Sequence, residues 1–225
     1  MSEFDTVAAN YQELVDHNVR VTGESLDYFA AYKAEYVARK VAPRAGGKLL
    51  DYGCGVGLLS KHLKNRLGEM RIDGFDVSKD SIIRVDEGLH RQGTFSTDLN
   101  ELGHDYDVIV LCNVLHHVKP ADRREVIREA ASRLADGGKL VIFEHNPINP
   151  LTRSAVSQCS FDEDAILLPS RETRAYFQRG ELRLLCREYI VFFPRWLQWF
   201  RPLEPSLRWC PLGAQYVVVA NRLRR

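Results

Sequence analysis

Hydrophobic positions along this chain alternate between two periods. Short apolar runs at 48–52, 70–76, 107–112, 140–144 and 215–221 suit buried strands. Between them the spacing becomes helical. Leu58, Leu59, His62 and Leu63 share one face, running to about Arg66 with Gly68 as a stop. Val126, Ile127, Ala130, Ala131 and Leu134 share another, within 121–134. Ser78 is placed to cap a helix after the second strand, and 93–98 reads as a short third strand. Before the first strand, Tyr11, Leu14 and Val15 mark one helical face. Leu26, Phe29, Ala30, Lys33, Tyr36 and Val37 mark a second, with Gly23 or Ser25 at its start. Alternation of strands and helices predicts right-handed crossovers and a doubly wound parallel sheet. After Glu144 the pattern changes. A loop stiffened by Pro147 and Pro150 leads to short helices at 152–158 and 171–178, the second capped by Ser170. Strands at 182–193 and 215–221 then flank a connection rich in aromatics.

Composition narrows this picture only slightly. Thirty-one basic against 30 acidic residues give a formal charge of +1, which supplies no general attraction for nucleic acid. Five cysteines form no C-x-x-C pair and are odd in number, as expected of reduced thiols in a cytoplasmic protein. The start, Met1 to Asp5, has neither the basic nor the apolar region of a secretory signal. No run approaches the ~20 apolar residues of a membrane span.

The chemistry begins at Lys48–Ser60. An apolar strand passes Asp51, breaks into Gly53, Gly55 and Gly57, and gives way to a helix. Glycines there allow close approach of backbone to ligand, and a helix start offers free N–H groups. Asp76, ending the second strand, is placed to accept from a ribose diol. Nicotinamide dehydrogenases space their glycines G-x-G-x-x-G, but here Leu58 stands where the third is needed. The run Leu50-Asp-Tyr-Gly-Cys-Gly-Val-Gly57 instead resembles the first motif of class I S-adenosylmethionine-dependent methyltransferases. Gly74-Phe-Asp-Val-Ser78, Asp98, Asp107 to Val118 and Gly137 to Glu144 match later motifs in order. The likeness covers about residues 45–145 and is strongest to the small-molecule branch with the ubiquinone and menaquinone methyltransferases.

That resemblance implies a Rossmann-like α/β fold: a seven-stranded sheet whose last strand is antiparallel and inserted between the fifth and sixth. The chain would be one domain, 1–225, with a helical N-terminal cap (1–42), a cofactor-binding core (45–145) and an acceptor-side segment with the closing strand pair (146–225). The cofactor implied is S-adenosyl-L-methionine, leaving as S-adenosyl-L-homocysteine. Gly53, Cys54, Gly55 and Gly57 would contact it through backbone, with Cys54 packing rather than attacking. Asp51 would orient the loop or reach the methionine amino group, and Asp76 with Val77 would hold the ribose. Asp98 and Leu99 would face the adenine, and Asn113 the methionine moiety. His117 and His145, following the fourth and fifth strands, are candidate bases, since an acceptor may have to lose a proton. His116 or His117 could equally pack or cap a helix. No metal is implied, because His116 and His117 lack an acidic partner at ligand spacing.

The expected partner is a small-molecule or lipid-linked acceptor rather than nucleic acid. Asn146, Asn149, Thr152 and Arg153 could give it polar contacts. Tyr28, Tyr32 and Lys33 could line a lid. Phe192, Phe193, Trp196, Trp199, Phe200 and Trp209, with Arg195, Arg201 and Arg208, either brace the closing hairpin beside solvated arginines or meet an apolar acceptor or membrane surface. Two rival functions remain at this point: a non-catalytic cofactor-binding subunit, and a nicotinamide-dependent oxidoreductase.

Overall fold

One seven-stranded sheet organises the computed structural model, which describes residues 23–41, 44–159, 162–177 and 181–223. The first expected helix, around Tyr11 to Val15, lies outside those residues. In chain order come α1 (Leu26–Tyr36), β1 (Lys48–Tyr52), α2 (Leu58–Leu67), β2 (Arg71–Phe75), α3 (Lys79–Ile83), α4 (Glu87–His90) and β3 (Phe95–Ser96). Then follow β4 (Tyr106–Cys112), α5 (Arg123–Ser132), β5 (Leu134–His145), α6 (Pro150–Ser157), α7 (Ser170–Ala175), β6 (Leu182–Ile190), α8 (Glu204–Leu207) and β7 (Gln215–Arg222). The strand order is β3-β2-β1-β4-β5-β7-β6. β7 runs antiparallel to both neighbours, in the place the family resemblance implied.

Side-chain alternation divides the core into two layers. Leu49, Val110, Val141 and Val217 face α1 and α2, meeting Ala34, Val37 and Leu63. Leu50, Ile109, Leu111 and Tyr216 face the other side, meeting Ile127 and Ala130 of α5. A continuous apolar β4 follows from burial on both faces. Ser25 caps α1 by accepting from Tyr28 N (3.2 Å), and Ser78 caps α3 by accepting from Ser81 N (3.2 Å). Gly68 ends α2 in a positive-φ conformation, as its position predicts.

Three boundaries move for physical reasons. β5 starts at Leu134, ahead of the apolar run expected at 140–144, and carries a bulge: Leu134 pairs with Tyr106, yet Lys139 already pairs with Val108. Ser170 lies inside α7, with Pro169 at the cap position, and its hydroxyl bonds the Tyr189 hydroxyl instead (2.9 Å). β6 stops at Ile190 because Val191 turns to φ 60°, a rare state for a β-branched residue. The Glu204 carboxylate accepts from Phe192 N and Phe193 N and so holds that reversal (3.0 and 3.1 Å). Among the described residues no helix is long and apolar enough to cross a membrane.

Candidate functional site

The strand order reverses between β1 and β4, so their carboxyl ends open a crevice. The glycine loop forms one wall. Gly53 N and Cys54 N both donate to Phe75 O (2.7 and 2.9 Å), pinning the turn to the end of β2. A Cβ on Gly53 would lie 2.4 Å from Val114 Cγ2, whereas one on Gly55 would meet nothing within 4 Å. Gly53 is therefore a packing requirement, and Gly55 faces open space. Both have positive φ (82° and 52°), as does Gly57 (79°), which opens α2 with no side-chain cap.

Asp76 closes this wall. Its Oδ2 accepts from Gly55 N (2.7 Å) and its Oδ1 from Ser78 N (2.9 Å), while Val77 beside it is exposed. Asp51 is fully buried, and Ser60 Oγ donates to its Oδ2 (2.7 Å). Its Oδ1 has no partner among the described residues. Burial, with the Asp76 charge nearby, pushes the Asp51 carboxyl up to about 6, although the Ser60 hydroxyl opposes this. Asn113, at φ 57° just past β4, also buries an Oδ1 with no partner among the described residues. Two orphaned oxygens thus sit at the ends of adjacent strands, each costly unless a ligand answers it. Asp98 is exposed, and its carboxylate accepts from Asn100 N (2.8 Å), capping a short turn at Leu99–Glu101. The Cys54 thiol is buried and raised well above its ordinary range by desolvation, as packing requires.

Lys33, expected in a lid, is instead buried beneath the site. Its Nζ lies 3.2 Å from Cys112 Sγ and 6.0 Å from the centre of the Phe143 ring. Tyr28 and Tyr32 turn to the C-terminal connection: the Arg201 guanidinium covers the Tyr28 ring at 4.6 Å, and Tyr32 Oη donates to Glu204 (3.4 Å).

The second wall is a histidine and carboxylate cluster at the ends of β4 and β5. Glu144 is fully buried, accepting from Leu115 N through Oε1 and facing His116 Nδ1 through Oε2, both at 2.6 Å. His116 Nε2 and His117 Nε2 lie 3.5 and 3.4 Å from the same oxygen, Asp162 Oδ1. The His145 ring is 5.2 Å from that of His116. Burial disfavours charge on His116, but Glu144 and Asp162 outweigh it and hold the ring up to about 9. Burial and that neighbouring charge push His117 down to about 4 and His145 to about 3, so both are neutral at pH 7.

Asp162, Glu144 and Arg123 were not among the residues expected from sequence. Arg123 explains the cluster. Buried at the start of α5, it donates to Leu115 O (3.0 Å), Val118 O (3.1 Å) and Glu172 Oε1 (2.7 Å), and to Ile166 O (2.5 Å). Ile166 N in turn donates to His116 O (2.8 Å), so the segment carrying Asp162 is clamped over the two histidines. No local pattern reveals this; the one hint is an Asp in the mixed acidic and apolar stretch at 161–168.

The acceptor contacts expected after β5 are spent on structure. Asn146 Nδ2 donates to Pro211 O and Gly213 O (2.9 and 2.8 Å), and Thr152 Oγ1 to Ala214 O (2.9 Å). Asn149 caps α6 and reaches Leu212 O (2.6 Å). The aromatic connection also differs from the bracing arrangement. Trp196, Trp199 and Trp209 are 67%, 78% and 77% exposed, while Arg201 pairs with Glu24 and Arg208 with Glu188.

Residues 24–189 match the family model of a methyltransferase domain. The chain belongs to the class I S-adenosylmethionine-dependent methyltransferases. A ubiquinone biosynthesis O-methyltransferase of Caulobacter sp. (strain K31) is 35% identical over 112 residues, 46% of this chain and 43% of that one. A ribosomal RNA small subunit methyltransferase C of Chromohalobacter salexigens is 31% identical over 140 residues, 59% and 40% of the two chains. The magnesium protoporphyrin IX methyltransferase of Synechocystis PCC 6803, solved with bound S-adenosylhomocysteine, shares the fold: TM-score 0.63, 18% identity, 92% of this chain and 86% of that one. The chain spans only 34% to 62% of the length of the first curated relatives it matches.

Proposed function

We propose that this methyltransferase transfers a methyl group to a small-molecule or lipid-linked acceptor. The observation that carries the donor side is the orphaned, buried Asp51 Oδ1 beside the open face of Gly55. A buried carboxylate with an unanswered oxygen suits a ligand bearing positive charge, as a sulfonium or ammonium does. S-Adenosyl-L-methionine supplies, when bound, a methyl group already activated on sulfur. Gly53, Cys54, Gly55 and Gly57 would hold it by close backbone approach and through carbonyls, since their N–H groups are engaged within the fold, with Asp51 and Asn113 toward the methionine part. Asp76 and Val77 would take the ribose, and Asp98 and Leu99 the adenine. The protein's remaining work is to align an acceptor and exclude water. His145, at the end of β5, would be the residue to take a proton from the acceptor, although burial and the neighbouring His116 charge leave it a weak base before an acceptor binds. His117 is engaged toward Asp162 and is the weaker candidate for that role.

The lipid-linked form of the acceptor is supported by the exposed Trp196, Trp199 and Trp209. Incubation with labelled methyl donor and a metabolite and lipid extract, read by mass spectrometry, tests the assignment. A labelled product in the lipid fraction supports the lipid-linked form, and one in the aqueous fraction the free small molecule. S-Adenosylhomocysteine binding with no labelled product in either fraction would instead indicate a non-catalytic subunit.

A further inference from the structure

We propose that His116, His117 and Asp162 form a binding site for a divalent first-row transition metal, zinc above all, beside the methyl-transfer crevice. Their ligand atoms, Nε2, Nε2 and a carboxylate oxygen, all lie within 4.8 Å of one another. The spacing is informative. At 3.5 and 3.4 Å from Asp162 Oδ1, the two imidazole nitrogens are beyond the ~2.7–2.9 Å of a charge-assisted hydrogen bond. Zinc–nitrogen and zinc–oxygen bonds of about 2.0–2.2 Å in a tetrahedron put neighbouring ligands roughly 3.3–3.5 Å apart. Both gaps to Asp162 fit that edge.

A support for the ligands is already built. A carboxylate only accepts, so Glu144 fixes the Nδ1 hydrogen of His116 and turns Nε2 toward Asp162. Carboxylate behind imidazole behind metal is the usual means of orienting a histidine ligand. Ile166 N on His116 O and the Arg123 clamp hold the Asp162 segment in register, so the site is formed without the ion. Access is uneven: the His116 side chain is 1% exposed, while His117 and Asp162 keep 18% and 12%. An ion could therefore enter from the His117 side. Three protein ligands leave a fourth position open, as in zinc sites that act on a bound oxygen. Two imidazoles and one carboxylate, without thiolate, favour zinc, iron or cobalt over magnesium and calcium. Binding of the ion is independent of the methyl-transfer reading. Only its use rests on that reading: an acceptor oxygen in the open position would be held and made more acidic.

The test is metal analysis and calorimetry on the full chain, stripped with chelator and titrated with zinc(II), with cobalt(II) as a spectroscopic probe. One zinc per chain is expected, with visible cobalt bands of a low-coordinate site and a raised melting temperature. His117→Ala and Asp162→Asn, both at partly exposed positions, should each weaken zinc at least ~100-fold and abolish the cobalt bands. His62→Ala, a histidine remote in sequence that pairs with Asp27, should change neither. Absence of stoichiometric zinc in the folded wild type would overturn the proposal, leaving a proton-held ion pair. So would full zinc affinity in a folded His117→Ala, Asp162→Asn double variant. Neither result depends on whether methyl transfer occurs.

Discussion

The two walls of the crevice are built in opposite ways. The glycine-loop wall is local and made of backbone: within 48–60 a strand, a glycine turn and a helix start follow one another, and Asp76 closes the loop through Gly55 N. The histidine wall is assembled from side chains far apart in sequence, with Glu144 from β5, the histidines after β4 and Asp162 held down by Arg123. The first construction tolerates little change of residue type, because φ and close approach dictate it. The second depends on a few buried charges whose partners must all be present.

The sharpest way to break the comparison is within the donor loop. Gly55→Val should lower affinity for S-adenosylhomocysteine by at least ~100-fold while the protein stays folded. Its Cβ meets no protein atom, and its positive φ costs only about 1–2 kcal/mol. Gly53→Ala should instead lose stability, because its Cβ collides with Val114. Retained affinity in Gly55→Val, measured by calorimetry, would remove the loop from the site. On the other wall, Arg123→Ala should cost about 3 kcal/mol in denaturant unfolding, since it takes the guanidinium from the Val118 and Ile166 carbonyls and from part-exposed Glu172. A loss below ~1 kcal/mol would show that the Asp162 segment is held by something else.

Asp51 gives the next effect, through pH. Its folded value, about 6, lies above the ordinary 3.8, so the native state binds the extra proton. Stability from this group is complete below pH ~4, falls as pH rises to ~6 and is flat beyond, a total of about 3 kcal/mol. Relative to Asp51→Asn, the wild type should therefore lose stability across that window, as thermal melts at stepped pH would show. A positively charged donor favours the ionised carboxylate, so wild-type affinity for S-adenosylmethionine should rise through pH ~6. A flat difference between the two proteins would contradict the burial of an unanswered charge. The smallest stability effect belongs to Trp199→Ala, within ~0.5 kcal/mol because the ring is exposed, whereas binding to anionic vesicles should fall. Equal flotation of both proteins would remove the lipid surface from the account.

The same contrast decides how much was legible in sequence. Strand and helix order, the glycine turn and the place of Asp76 at the end of β2 follow from local period and spacing, whereas the reversed last strand came only from the family resemblance. Asn113 was singled out by the family resemblance at its place after β4, and its positive φ was not foreseen. Asp162 escaped notice because its partners precede it by most of a crossover and a helix. Asn146, Asn149 and Thr152 looked like acceptor contacts because polar residues in a loop give no sign of which backbone carbonyls they will satisfy. The tryptophans left two readings open, bracing a hairpin or meeting an apolar acceptor or membrane surface, because an apolar helical period at 195–203 does not say whether its face turns inward or to solvent.

The most direct measurement of the central claim is calorimetric titration of the purified protein with S-adenosylhomocysteine and, separately, with NAD. One equivalent of S-adenosylhomocysteine should bind, with affinity lost in Gly55→Val, and NAD should give no heat. Binding of NAD but not of S-adenosylhomocysteine would contradict the account.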